Sequence, residues 1–229
     1  MCTPFRGVLN GPMVLWTGFV APPLTTDLVV TKLRRMSETT APYRATRAPR
    51  LSADERREAI VAAGMDEFAA HGLAGASVDA IAKRAGVSQP YVYQLFGTKK
   101  ELFLAIIRRA FERTQLAFAD AVRRHQAGEI AGCDSPLGAM GTAYLALLAD
   151  RTLLLVQLQA YAACSDPEVQ AVVREEFARL HRYVTQAAGA TTDEVHHFFA
   201  EGMLLNVGAA VQLPGEPLTW TLAMLGGAD

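Results

Sequence analysis

From residue 52 to residue 213, apolar side chains recur three and four positions apart, and no stretch keeps a strict two-residue alternation. That spacing lays apolar residues along one side of a helix, so the pattern predicts an all-α chain. Ser52-Ala53-Asp54-Glu55 places a glutamate three residues after a capping serine and opens a first helix, with Gly72 as its stop just past His71. Ile60, Val61, Gly64, Met65, Phe68 and Ala69 form its core stripe. Ser77 caps a short helix 78–85, which Gly86 ends; Ser88 caps a second, 89–95, with Pro90 in its first turn. Thr98-Lys99-Lys100-Glu101 repeats the capping pattern and starts a long helix reaching His125. After a glycine-bearing break at 127–136, Ser135-Pro136 opens a helix to Asp150. The next, 152–164, is apolar nearly all round, which marks a buried helix whose Gln157 and Gln159 need partners. Asp166-Pro167 opens one to Ala188, Thr191 or Thr192 opens another to Leu213, and a last short helix spans 218–225.

The stretch 77–101 carries the candidate chemistry. Val78, Ile81, Ala82 and Ala85 give the first short helix one apolar side, and Val92 and Leu95 do the same for the second. Gln89, Tyr91, Tyr93 and Gln94 are left for the flanks and the outward face. Two short helices around a glycine turn, the second with a polar face, make a helix-turn-helix, whose second helix lies in the DNA major groove.

The run IAKRAGVSQPYVYQLFGTKKELFLAI, residues 81–106, resembles the DNA-binding signature of the TetR-like (tetracycline-repressor-like) transcriptional regulators. The matching positions are Ile81-Ala82, Ala85-Gly86-Val87-Ser88, Tyr93, Phe96, Lys99 and Leu102, and the likeness covers roughly residues 52–111. It implies a DNA-binding head, 44–111, joined by the long helix to a C-terminal helical bundle, 112–229, that encloses a small effector and dimerises. Gln89, Tyr91 and Gln94 are then the candidates for base edges, glutamine being able to pair bidentately with adenine. Ser77, Ser88, Tyr93 and Lys99 are candidates for phosphates, with Lys100 adding charge at a helix N-terminus that itself attracts them. Candidates to line the pocket are Tyr144, Leu148, Gln157, Tyr161, Phe177, Phe198, Phe199 and Met203. The resemblance carries a four-helix homodimer interface to 166–188 and 193–213, with Phe198, Met203 and Leu204 inward and Phe199, Val207, Ala210 and Val211 toward the partner. It implies a cytoplasmic, ligand-responsive regulator, a repressor released from a palindromic double-stranded operator by a small hydrophobic effector. A small-molecule or partner-binding helical module without operator specificity is the alternative.

Composition sharpens this picture only in part. The 229 residues carry a formal net charge of −1. Residues 44–113 hold 12 Lys and Arg against 8 Asp and Glu, whereas 114–229 hold 6 against 13. A basic head on an acidic body suits polyanion binding at one end. Cys2, Cys133 and Cys164 form no CxxC and no disulfide framework. The apolar run 13–21 is too short to span a bilayer. Residues 1–43 read as a disordered or mis-assigned extension with Met36 as the natural start, and Arg44, Arg47 and Arg50 as a basic arm. Adjacent His196 and His197 diverge on a helix and cannot share a metal. No phosphate loop, nucleophile elbow or paired-acid constellation appears, so no cofactor and no enzyme is expected.

Overall fold

The computed structural model of the chain describes residues 52–130 and 133–212. The extension 1–43, Met36, the Arg44–Arg50 arm and the short helix 218–225 lie outside the described residues. Within them every regular element is a helix: α1 (Ala53–Gly75), α2 (Val78–Ala85), α3 (Gln89–Phe96), α4 (Lys99–Gln126), α5 (Pro136–Leu147), α6 (Arg151–Ala162), α7 (Pro167–Ala188) and α8 (Thr192–Ala210).

Local chemistry sets most of these boundaries. Ser52 and Glu55 close the reciprocal box at the start of α1, and Thr191 and Glu194 do the same for α8. Ser135, Asp150 and Asp166 cap α5, α6 and α7 by accepting backbone N–H groups. At Thr98 only half the expected box forms. Its hydroxyl accepts from Glu101 N at 3.1 Å, while the Thr98 N–H turns to Phe96 O at 3.1 Å.

Gly72 breaks α1 as expected, with φ 63° and ψ −177°, but the chain resumes one more turn to Gly75 before leaving the helix. That backbone region is open essentially to glycine alone. A Cβ at Gly72 would also stand 2.6 Å from Gln159 Oε1 of α6, so that flexible side chain would have to move aside.

Helices α1 and α3 pack on the first half of α4, and α2 packs on α1 and α3. Ile60, Phe68, Ile81, Leu102, Phe103 and Ile106 are all fully buried there, and the Phe68 and Phe103 rings meet at 4.9 Å. The second half of α4 is enclosed by α5, α6, α7 and α8. At 28 residues, α4 is about 42 Å long, and it runs from the head through the body without a break. The head also rests on the body directly, since α1 packs along α6. Lys100 at the start of α4 pairs with Asp166 and Glu168 at the start of α7.

Among the described residues no single helix is long and apolar enough to cross a membrane. The pair α5 and α6 reaches that composition only together, bent by 99°.

Candidate functional site

Helix α3 is held by its apolar side and leaves the other side open. Val92 and Phe96 are buried. Arg57 lies over the Phe96 ring, 4.3 Å from its centroid, and donates to Leu95 O at 3.4 Å, which pins the end of the helix. Gln89, Tyr93 and Gln94 are exposed, Tyr93 by 41 %. Gln89 and Tyr93, four apart, share a face that Gln94 flanks. Tyr91 is different: it is half-buried against the core, with the Arg56 guanidinium 5.8 Å from its ring, so it reaches the outer face only at its edge.

Ser77 sits exposed at the mouth of α2. Its hydroxyl accepts from Ala80 N at 3.3 Å and keeps its own proton for another acceptor. Its backbone N–H donates to the buried carboxylate of Glu67 at 3.0 Å, an anchor in α1 that sequence pattern alone did not reveal. Ser88, expected to cap α3, makes no side-chain cap bond. Pro90 removes one of the N–H groups a cap would use, and Tyr91 N is already bonded to Ser88 O at 3.0 Å. Ser88 is exposed.

The two lysines depart from a simple phosphate clamp. Lys99 Nζ turns inward and donates to Ala74 O at 3.0 Å and Ala76 O at 3.2 Å, closing the end of α1. Lys100 Nζ donates to Glu168 Oε1 at 2.6 Å and Asp166 Oδ2 at 3.2 Å. Glu168 first and Asp166 second push the Lys100 pKa up. Both ammonium groups already give two of their three N–H donors to carbonyl or carboxylate partners, which holds each of them away from a free phosphate-facing position.

In the body, a cavity of about 80 Å³ opens between α4, α5, α6, α7 and α8. Tyr144, Gln157, Tyr161, Phe177, Phe198, Phe199 and Met203 all line it. Leu148 does not: it is the C-cap of α5, carried away from the cavity by the turn into α6. Phe118 of α4 meets Tyr144 edge-on at 5.9 Å and Phe198 at 5.7 Å. Phe199 continues the aromatic wall to Phe177, 5.4 Å away, and stacks on His181 at 5.1 Å.

The inward and outward faces of α8 thus differ from the expected split. Phe199 turns in, while Met203 is 37 % exposed, on one stripe with Val207 at 50 % and Val211 at 61 %. Met203, Val207 and Val211 are successive i, i+4 neighbours and must share a face, so Met203 follows Val207 outward while its side of the helix still edges the cavity.

A buried polar chain crosses the cavity wall. Gln157 Nε2 donates to Thr114 Oγ1 at 3.1 Å, and the Tyr144 hydroxyl donates to Asn206 Oδ1 at 2.6 Å. Burial raises the Tyr144 pKa to about 12, the Asn206 bond opposing it, so the phenol stays neutral. Burial likewise pushes Tyr161 up. Thr114 and Asn206 were missed from sequence. Each is a lone polar residue inside an apolar stripe, and that interruption was the available signal.

A helix-turn-helix with an open outer face is continuous, through one long helix, with an aromatic cavity in an all-helical body. Residues 60–106 match the profile of the bacterial regulatory proteins of the tetR family. The HTH-type transcriptional activator FasR of Mycolicibacterium smegmatis is 40 % identical over 77 residues, which are 34 % of this chain and 35 % of that protein. The likeness to it is therefore one of the head, about a third of its length. The body has its counterparts in solved structures. The transcriptional regulator FadR from Bacillus subtilis superposes with a TM-score of 0.60 at 16 % identity, covering 76 % of this chain and all of that one (100 %). A transcriptional regulator from Aquifex aeolicus VF5 gives 0.57 at 16 %, covering 75 % and 96 %. The head thus carries a tetR-family signature over residues 60–106, and the described residues share the all-helical fold of these solved structures.

Proposed function

We propose that the chain is a homodimeric transcriptional regulator that binds a two-fold symmetric operator through α3 and is released by a small apolar effector in the α4–α8 cavity. The observation that carries the reading is the outer face of α3. Gln89, Tyr93 and Gln94 stand exposed and make no side-chain hydrogen bond among the described residues. A polar face with no structural duty on the second helix of a helix-turn-helix is what major-groove readout requires. Gln89 and Gln94 take the base edges, and Ser77, Ser88 and Tyr93 take phosphates.

The dimer is supported by the uncovered apolar stripe of Met203, Val207 and Val211, flanked by Gly208, which would let a second α8 come close. It follows also from the DNA side, where one short helix reads too few base pairs for a useful specificity. FadR of Bacillus subtilis was solved with stearoyl-CoA, which supports ligand binding by this fold. Effector release makes the protein a repressor wherever its operator overlaps a promoter.

Selection of fragmented genomic DNA on the purified protein at near-physiological salt tests this. A near-palindromic motif should be enriched, and Gln94→Ala should reduce the preference for it over random DNA while leaving random binding intact. Uniform recovery of fragments, with a steep salt dependence and no motif, would refute operator recognition and leave a binding module of another kind.

A further inference from the structure

The polar chain in the cavity is incomplete in a way that specifies a ligand. Tyr144 has one hydroxyl proton and two amide oxygens in reach, Asn206 Oδ1 at 2.6 Å and Gln157 Oε1 at 3.5 Å. The shorter contact takes the proton, and at the longer distance a hydrogen bond is marginal. Gln157 meets Thr114 through its nitrogen, and Thr114 donates onward to Ala110 O at 3.1 Å. The Gln157 oxygen is thus short of a donor. Asn206 Nδ2 has the opposite lack: its partner is Met203 Sδ at 3.9 Å, a weak acceptor. Asn206 is 2 % exposed and Gln157 5 %, and a buried amide short of a good partner favours any group that completes it.

We propose that the cavity binds an uncharged, single-ring compound bearing one group that both accepts and donates a hydrogen bond, a carboxamide or a hydroxyl. The group accepts from Asn206 Nδ2 in place of Met203 Sδ and donates to Gln157 Oε1. This rests on the reading of the cavity as the effector site and names the chemistry of its occupant.

Charge and size both restrict the class. Among the described residues no lysine, arginine or histidine lines the cavity, so an anion would be buried there without a counter-charge, which is strongly unfavourable. Glu201, the one carboxylate on the wall, is 44 % exposed and faces His197 at 3.7 Å, so it does not hold a cation inside. The aromatic walls of Phe118, Phe198 and Phe199 suit a ring edge-on or offset.

The room is about 80 Å³, roughly half of the ~150 Å³ that accommodates benzene in a dry protein cavity. Moving one side chain supplies the difference. Met203 is unbranched, adaptable and only part-buried, and swinging it off Asn206 both enlarges the space and bares the amide. A long hydrocarbon chain would instead require the helices themselves to part.

Calorimetric titration of the full chain with benzamide, benzoate, ethylbenzene and decanoate decides the matter, because the first three share a ring and differ in the polar group. Benzamide should bind at least about tenfold tighter than the other three, the discrimination one completed buried polar contact supplies. Asn206→Leu should abolish its advantage over ethylbenzene, and Gln157→Met, the second variant should the first not fold, should reduce it. Gly202→Leu should lose all ring compounds with helicity intact, since a Cβ there already meets Tyr144 at 3.6 Å. Tighter binding of benzoate or decanoate, or a benzamide preference that survives both polar variants, overturns the ligand class and leaves the cavity as an effector site. Equal binding of benzamide by wild type and Gly202→Leu, or no binding of any of the four, overturns the cavity reading with it.

Discussion

Replacing Lys99 separates a phosphate contact from the structural bonds its ammonium makes at the end of α1. Its position in the signature suggests a phosphate contact, and removing such a contact should flatten the salt dependence of DNA binding by about one unit. In the structure the ammonium is committed to Ala74 O and Ala76 O. A charged donor contributes about 1.5–3 kcal/mol per bond when buried, but Lys99 is only half-buried and one of its acceptors is exposed. Ala74 O can be taken over by water. Ala76 is 5 % exposed, and its carbonyl would lose its charged partner with less compensation. A cation at an exposed helix C-terminus is by itself worth about 0.3–1 kcal/mol. Lys99→Ala should therefore cost about 1–2 kcal/mol of stability, read as a lower urea midpoint at unchanged slope. The salt slope of DNA binding should stay as in the wild type. Unchanged stability together with a slope reduced by one would show that the ammonium leaves the α1 terminus for phosphate, and the reasoning would fail.

Gly72→Ala puts a side chain into a glycine-only backbone region and against Gln159. The cost should be about 1–3 kcal/mol, measured by urea denaturation; a neutral result would mean that the kink is not needed to end α1. Asp166 is held below its ordinary value of 3.8, chiefly by the Val169 N–H and then by Lys100. A carboxyl so depressed contributes stability above its unfolded-state value, and that contribution is lost as pH falls through the folded one. Asp166→Asn keeps a competent cap, so it should give a shallower fall in Tm between about pH 5 and about pH 3 than the wild type, and an equally steep fall would place the acid sensitivity elsewhere. Val207→Asp sets a charge in the middle of the exposed α8 stripe. Sedimentation should show the dimer shifted to monomer with helicity retained, and a dimer of undiminished affinity would move the interface to another face.

Much of this fold was legible because helix ends are written in local chemistry. Ser52 with Glu55, Ser77, Thr98, Ser135, Asp166 and Thr191 all stand at the starts where pattern placed them, and Gly86 and Gly189 end helices in left-handed conformation. The departures arise where a residue's partner is far along the chain. Ser88 is the local exception, its cap lost to the missing Pro90 N–H and to the Tyr91 N–H already bonded to Ser88 O. Lys99 and Lys100 find partners 23 to 68 residues away, and no periodicity encodes those. Leu148 falls outside the cavity because α5 ends a residue earlier than its apolar pattern does. Periodicity ranks faces of a helix but does not say which neighbour each face meets. Hence seven of the eight expected lining residues converge, while the polar chain through Thr114 and Asn206 emerged only from the packing.

The same helix that begins at the helix-turn-helix head also forms one wall of the cavity, and this constrains how the proposed effector and operator can be coupled. Thr114 stands near the middle of α4 and is tied to Gln157 of α6, while α6 lies along α1 of the head. The start of α4 is tied to the start of α7 through Lys100. A ligand that recruits Gln157 therefore acts on α4 and on the α1 support together, and Lys100 resists any separation of α4 from α7. If the cavity is the effector site, coupling to the head is a difference in how well these two arrangements accept the ligand, and DNA must weaken ligand binding by the same factor that ligand weakens DNA binding. Thr114→Val tests this without touching the head. It removes the acceptor for Gln157 Nε2 at nearly constant volume, so it should reduce the mutual weakening while leaving operator affinity in the absence of ligand unchanged. Equal loss of affinity with and without ligand would mean that Thr114 supports the fold and does not transmit the signal.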